Sequence, residues 1–144
     1  NITPPAAPAS LAAEDSLAGR PPAAQVRAIV EAQMMAMSLH SEWMGVSPVA
    51  IRATGGAAAN HQILQVMADV FGVPVRWSPD TGSAALGAAL RAWQADTGLP
   101  WSDIVAGMGD PASGTLLPPD PANVTLYRLL RPRYIAMERT ALAG

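Results

Sequence analysis

The chain has 144 residues, half of them hydrophobic but only 5% aromatic, and a formal charge of −2 at neutral pH. That length suits one domain and is too short for a two-domain clamp. The nine basic residues are all arginine and are scattered, too thinly for a nucleic-acid surface; there is no cysteine for a disulfide or thiolate site, and no apolar run approaches the ~20 residues of a membrane span. These properties predict a soluble, cytoplasmic, helix-rich protein that binds neither nucleic acid nor membrane.

Residues 1–20 carry Pro4, Pro5 and Pro8, then Glu14, Asp15 and Gly19, with no period and no signal-peptide pattern, and read as an extended leading segment. The start at Asn1 rather than methionine reads as a chain cut from something longer. Pro21 and Pro22 open a helix whose Val26, Val30, Met34, Met37 and Met44 share one face, with Gly45 as its stop. Val49 and Ile51 alternate with smaller residues in a strand over 48–54 that empties into Gly55-Gly56. A helix then runs from Ala58 to Phe71 and closes at Gly72. Val73 to Trp77 is a second short strand, with Pro74 near its start. A third helix is capped by Asp80 and carries Ala85, Leu86, Ala89, Leu90 and Trp93 on one face; a short helix follows over 101–105. Gly107 to Pro119 is punctuation. The last helix has Asp120 as cap and Pro121 at its first position, and Pro132 is expected to kink or split it. Helices alternating with short strands predict an α/β layer fold, although two strands are too few for a complete sheet.

The chemistry lies in Ile51 to Asn60, where a strand passes through two glycines into the start of a helix. Without β-carbons, Gly55 and Gly56 let a flat ring or a phosphate approach the backbone, and a helix start offers N–H groups with partial positive charge. Asn60, expected in the first helical turn, has an amide that both donates and accepts, as reading an adenine edge requires. On spacing alone a tight connection between strand and helix explains the same glycines.

The wider pattern resembles the FGGY carbohydrate kinases. Ala53-Thr54-Gly55-Gly56-Ala57, Asn60 and Ile63 to Val75 are similar to that family's adenosine-side motif, and Ser83 to Ala89 to its following helix. Val26-Arg27-Ala28, Glu31, Gln33 and Met35-Ala36 resemble the preceding helix in the D-xylulose kinase branch. Ile2-Thr3-Pro4 resembles its opening segment, and Leu129-Leu130, Pro132, Tyr134 and Glu138 match more loosely. Ala24 and Ala32 depart from the family pattern, away from the loop.

The resemblance implies an incomplete carboxy-terminal domain of the RNase H-like, actin and sugar-kinase type, helix-rich with few strands. It divides into the leading segment 1–20, a nucleotide-side α/β portion 21–106, a Gly/Pro-rich linker 107–119 and a terminal helix 120–144. By resemblance Gly56 packs against adenine, Asn60 hydrogen-bonds near it, and Gly55 and Ala57 shape the turn. The partners implied are ATP and a small sugar, with a homodimer left open. Magnesium would be held through the phosphates of ATP and by residues outside the chain. The family's aspartate base and amino-terminal phosphate loops have no counterpart here, so no catalytic or metal residue is assigned, and the segment alone is expected not to transfer phosphate. The complete enzyme would phosphorylate D-xylulose. The alternatives are a kinase for ribulose, gluconate or glycerol, or a non-catalytic nucleotide-binding module.

Other patterns read as structural. Asp80-Thr81-Gly82 and Asp96-Thr97-Gly98 spell the aspartic-protease tripeptide but sit at helix ends, where caps and turns are expected. His40 and His61 lack metal-ligand spacing. Met34, Met35, Met37 and Met44, and Trp43, Trp77, Trp93 and Trp101, are expected to pack in the interior. Arg27 and Glu31, four residues apart, permit an ion pair, whereas Asp69 is expected to face solvent or pair with an arginine.

Overall fold

The computed structural model describes residues 17, 19–77, 82–106, 108 and 114–143. Helix α1 spans Pro22–His40, with Pro21 at the cap position and Pro22 at its first turn, where a missing N–H costs nothing. A single tight turn, Glu42–Met44, separates it from Gly45, so the expected helix ends four residues before Met44. Strand β1 is Ile51–Ala53, α2 is His61–Phe71, and β2 is Val75–Trp77. α3 (Ser83–Thr97), the single-turn α4 (Trp101–Ile104), β3 (Thr115–Leu117) and α5 (Pro121–Ala143) complete the chain.

β1 and β2 run parallel, with Ile51 opposite Val75 and Ala53 opposite Trp77, joined by α2 as the crossover that a parallel pair requires. β3 adds antiparallel to the other side of β2, pairing Leu117 with Val75 and Thr115 with Trp77. This third strand lies inside the stretch read from sequence as punctuation. Three residues are too few to reveal a period of two. The bend before β3 depends on Gly114, at φ 104, where an added Cβ would meet the Trp77 carbonyl oxygen at 2.2 Å.

α2 occupies the middle layer. Leu64 and Ala68, one turn apart, pack on the sheet with Ala53, Ala58 and Val75. On another face Val66 meets Met34 of α1 and Tyr127 of α5, with Ile63 and Val70 beside them. A helix enclosed on two sides needs apolar residues on both, which Ile63 to Phe71 supplies.

The third side of α2 holds a charge. Asp69 is 1% exposed, contrary to the solvent-facing or arginine-paired position expected for it. Its Oδ1 accepts from Gln65 Nε2 at 2.9 Å and from the Asp120 backbone N–H at 2.8 Å, and its Oδ2 from Asn123 Nδ2 at 2.8 Å. Asp120 in turn accepts from Ala122 N at 2.8 Å and caps α5, as expected from sequence. α5 continues through Pro132 without splitting, because its other turns keep their bonds and its inner face is held by packing.

The expected apolar faces of α1 and α3 are only partly used. Met34 is buried, but Val26, Met37 and Met44 are exposed. α3 buries no residue, and Leu86 and Trp93 lie open. Trp43 is 84% exposed and Trp101 is also open, so of the four tryptophans only Trp77 packs against the core. Periodicity marks the side of a helix that a neighbour could cover, and among the described residues α3 has little above it. The first residue before α3 is Gly82; Asp80, the expected cap, lies outside the described residues, as does most of the leading segment. Asp96 sits in the last turn of α3 and is exposed, as suits a helix-end residue.

Replacing Asp69 with alanine strands the Asp120 N–H and the Asn123 amide in a buried place. Urea denaturation of Asp69→Ala should show a loss of roughly 3 kcal/mol; a loss within 0.5 kcal/mol, about that of an ordinary surface substitution, would contradict this role.

Candidate functional site

β1 delivers the chain to the carboxyl end of a parallel strand, the edge at which open α/β sheets place their ligand crevices. Ala53 is buried, so the strand end is anchored, while Thr54 to Ala57 emerge into the open. Gly55 has φ 89 and ψ −179, a backbone conformation essentially closed to residues with a β-carbon. It allows the chain to turn sharply into the tight helical turn Gly56–Ala59, which closes through Ala58 N–H to the Gly55 carbonyl at 3.1 Å. Ala58 alone in that turn is buried and pins it to the sheet layer.

Beside both glycines there is room. A β-carbon built at Gly55 or Gly56 would meet nothing within 4 Å. The loop is steadied from one side by Ser83 of α3, whose hydroxyl donates to Thr54 Oγ1 at 2.9 Å. Trp77 at the end of β2 meets His61 edge-on, with ring centroids 5.4 Å apart. His61 thus packs beside an aromatic ring, and His40 pairs with Glu138 of α5 at 2.8 Å.

Asn60 stands one residue before α2, not inside its first turn as expected. The tight turn Gly56–Ala59 intervenes, and Asn60 is extended, at φ −92 and ψ 102. Its Oδ1 accepts from Gln62 N–H at 3.0 Å and so caps α2. One lone pair of the amide oxygen is therefore used by the cap, while the NH2 donor pair has no such role in it.

Asn60 also borders a groove of about 430 Å³ between the start of α1 and the start of α2, walled by Ala23, Val26, Arg27, Val30 and Ile63. Its volume and mostly apolar lining suit an organic ligand with a few polar anchors. Of the four residues expected at the site, Asn60 alone reaches this groove. Gly55, Gly56 and Ala57 lie on the open loop leading to it. A smaller hollow of about 290 Å³ lined by Ser38, Ser41, Glu42 and Phe71 shares no residue with the loop.

The polar wall of the groove was only half legible in sequence. Arg27 Nε donates to Glu31 Oε1 at 2.7 Å, the ion pair expected from their spacing. The same oxygen accepts from the Tyr127 hydroxyl at 2.8 Å, and that hydroxyl lies 3.4 Å from Arg27 Nη2 as its acceptor. Tyr127 comes from α5 and is 4% exposed; no local signal connects it to a helix 96 residues earlier. Burial, and then its bond to the Glu31 carboxylate, push the Tyr127 hydroxyl up to about 12. Burial also raises Tyr134, with the charge of Glu138 adding to it.

The chain matches the sequence profile described as the FGGY family of carbohydrate kinases, C-terminal domain, over residues 2–95. It is 41% identical over 125 residues to a xylulose kinase of Mus musculus, a match covering 83% of this chain and 22% of the relative. A glycerol kinase of Koribacter versatilis is 51% identical over 59 residues, covering 41% of this chain and 11% of that enzyme. The crystal structure of xylulose kinase from Rhodospirillum rubrum is similar at a TM-score of 0.60 and 29% identity, over 79% of this chain and 24% of that one. The chain thus spans less than a quarter of the length of each of these relatives.

The raised Tyr127 value gives a signed pH dependence. The folded chain holds this proton more tightly than the unfolded one, so the contribution is complete below pH 10 and is lost as pH climbs through about 12. With no lysine to titrate in that interval, Tyr134 is the competing side chain, and burial raises it too. Denaturation at stepped alkaline pH should show a decline that Tyr127→Phe flattens; equal declines in both proteins would contradict the assignment.

Proposed function

The chain belongs to the FGGY family of carbohydrate kinases, and from that premise we propose that it is the nucleotide-side portion of an ATP-dependent enzyme that phosphorylates D-xylulose. Its sheet and flanking helices would then be part of an RNase H-like domain, the arrangement the sequence pattern implied. The xylulose reading is favoured over glycerol because the similarity to xylulose kinases extends over most of the chain, whereas the glycerol kinase similarity covers a shorter share.

The observation that carries the nucleotide reading is the open space along Gly55 and Gly56, continuous in sequence with an Asn60 that both caps α2 and borders a groove. A purine would lie along the loop with Gly56 against its face, and the Asn60 NH2 would donate to a ring nitrogen. Such contacts fix the nucleoside end of ATP. They leave the γ-phosphoryl group to be aligned with a sugar hydroxyl, a step in which positioning and charge stabilisation dominate. This chain's part in it is binding and orientation, and the residue that takes the proton from the sugar hydroxyl belongs to the remainder of the enzyme. Among the described residues no three His, Asp or Glu side chains gather together, and a magnesium ion serving phosphoryl transfer needs only one or two carboxylates beside the substrate phosphates. The ion would ride on the ATP phosphates.

Two substitutions separate ligand contact from folding. Asn60→Ser keeps a capping oxygen but removes the amide donor, so stability should hold while affinity for ADP falls about fivefold. Gly56→Val adds bulk where the backbone is not left-handed and nothing lies within 4 Å. It should likewise spare the fold and abolish measurable ADP binding, read by chemical-shift titration of the chain. Unchanged ADP affinity in both variants would remove the proposal.

A further inference from the structure

We propose that Tyr127 is a positioning residue for the nucleotide groove, holding Glu31 and through it the guanidinium of Arg27 on the wall that Arg27 shares with Asn60. The inference rests on the nucleotide reading and adds to it an element from outside the family match. That match ends at residue 95, whereas Tyr127 lies in α5.

Arg27 alone would be a poor groove wall. Its side chain is 58% exposed, and an exposed ion pair one turn along a helix holds a long side chain only weakly. Here the anchor is stronger, because Glu31 Oε1 is gripped from two directions, by Arg27 Nε at 2.7 Å and by the Tyr127 hydroxyl at 2.8 Å. Tyr127 itself cannot wander, since its ring is enclosed with Met34 and Val66. The hydroxyl uses its donor on Glu31 and its acceptor on Arg27 Nη2, so both of its roles define where the guanidinium sits.

A guanidinium held by one edge keeps its remaining N–H groups and its flat face for the groove. Its charge is already balanced by Glu31, so it suits the acceptor atoms of a nucleoside, a purine nitrogen or a ribose oxygen, rather than a phosphate. The ligand class at this wall is therefore the nucleoside itself, and adenosine should feel Arg27 as strongly as ADP does. Lysine could not replace it, because one ammonium would not both grip Glu31 and face the ligand along a plane.

The test is a chemical-shift titration of the chain with adenosine and with ADP, for wild type, Tyr127→Phe, Arg27→Lys and Asn60→Ser. Tyr127→Phe should raise both dissociation constants about fivefold, the effect of one misplaced hydrogen bond, with Arg27→Lys giving a similar loss. Combined with Arg27→Ala, Tyr127→Phe should add nothing further, since it acts through that residue. If Tyr127→Phe folds poorly, Glu31→Gln weakens the shared grip instead, since a neutral amide oxygen holds the guanidinium less firmly than a carboxylate does, and it should show a loss in the same direction. Unchanged affinity in Tyr127→Phe or, where that fails to fold, in Glu31→Gln, with Asn60→Ser weakened, overturns the inference and leaves the nucleotide reading intact. A loss confined to ADP overturns the nucleoside assignment. Wild-type resonances of Asn60 and Arg27 unmoved by millimolar ADP overturn both readings.

Discussion

Asp69 lies in the middle of α2, nearly cut off from water, and three N–H donors, one from its own helix and two from the start of α5, converge on its two oxygens. A carboxylate in that position is tolerable only when its lone pairs are met, and the groups that meet it are the backbone N–H at the start of α5 and the amide of Asn123. The start of a helix is where unpaired N–H groups and partial positive charge accumulate, so the arrangement suits both partners. It fixes where α5 begins. Everything α5 does further along, at Tyr127, Arg131 and Glu138, follows from that origin.

From that point α5 runs back across α1. Tyr127 enters the second core cluster and bonds Glu31; Arg131 bonds Glu42 beyond the end of α1; Glu138 meets His40 at its last residue. The two exposed pairs add little energy, being solvated, but they agree in direction with the buried contacts. The result is that α1 and α2 are held with a groove open between their first turns.

The loop side obeys a different constraint. Ala53 and Ala58 are buried, and between them the chain must reverse from strand to turn in four residues, which Gly55 makes possible through a conformation other residues avoid. The same absence of side chains leaves the outer surface of the bend bare. A structural demand and an opening for a ligand therefore fall on the same two glycines, which explains why their spacing alone could not decide between a tight connection and a binding loop.

Where local rules suffice, the sequence by itself determined the structure. β1, β2, α2 and the cap at Asp120 followed from alternation, helical spacing and proline position, and the family resemblance followed from the residues 53–75. The Arg27 and Glu31 pair, four residues apart, was legible for the same reason. Tertiary structure alone decided that Asp69 is buried, that Thr115–Leu117 joins β2, that Asn60 stands before α2 with its oxygen capping that helix, and that most of the α3 stripe and three tryptophans remain open. Each of these depends on which distant segment arrives as neighbour. Periodicity records which face of an element could be covered, and only the packed chain settles what covers it.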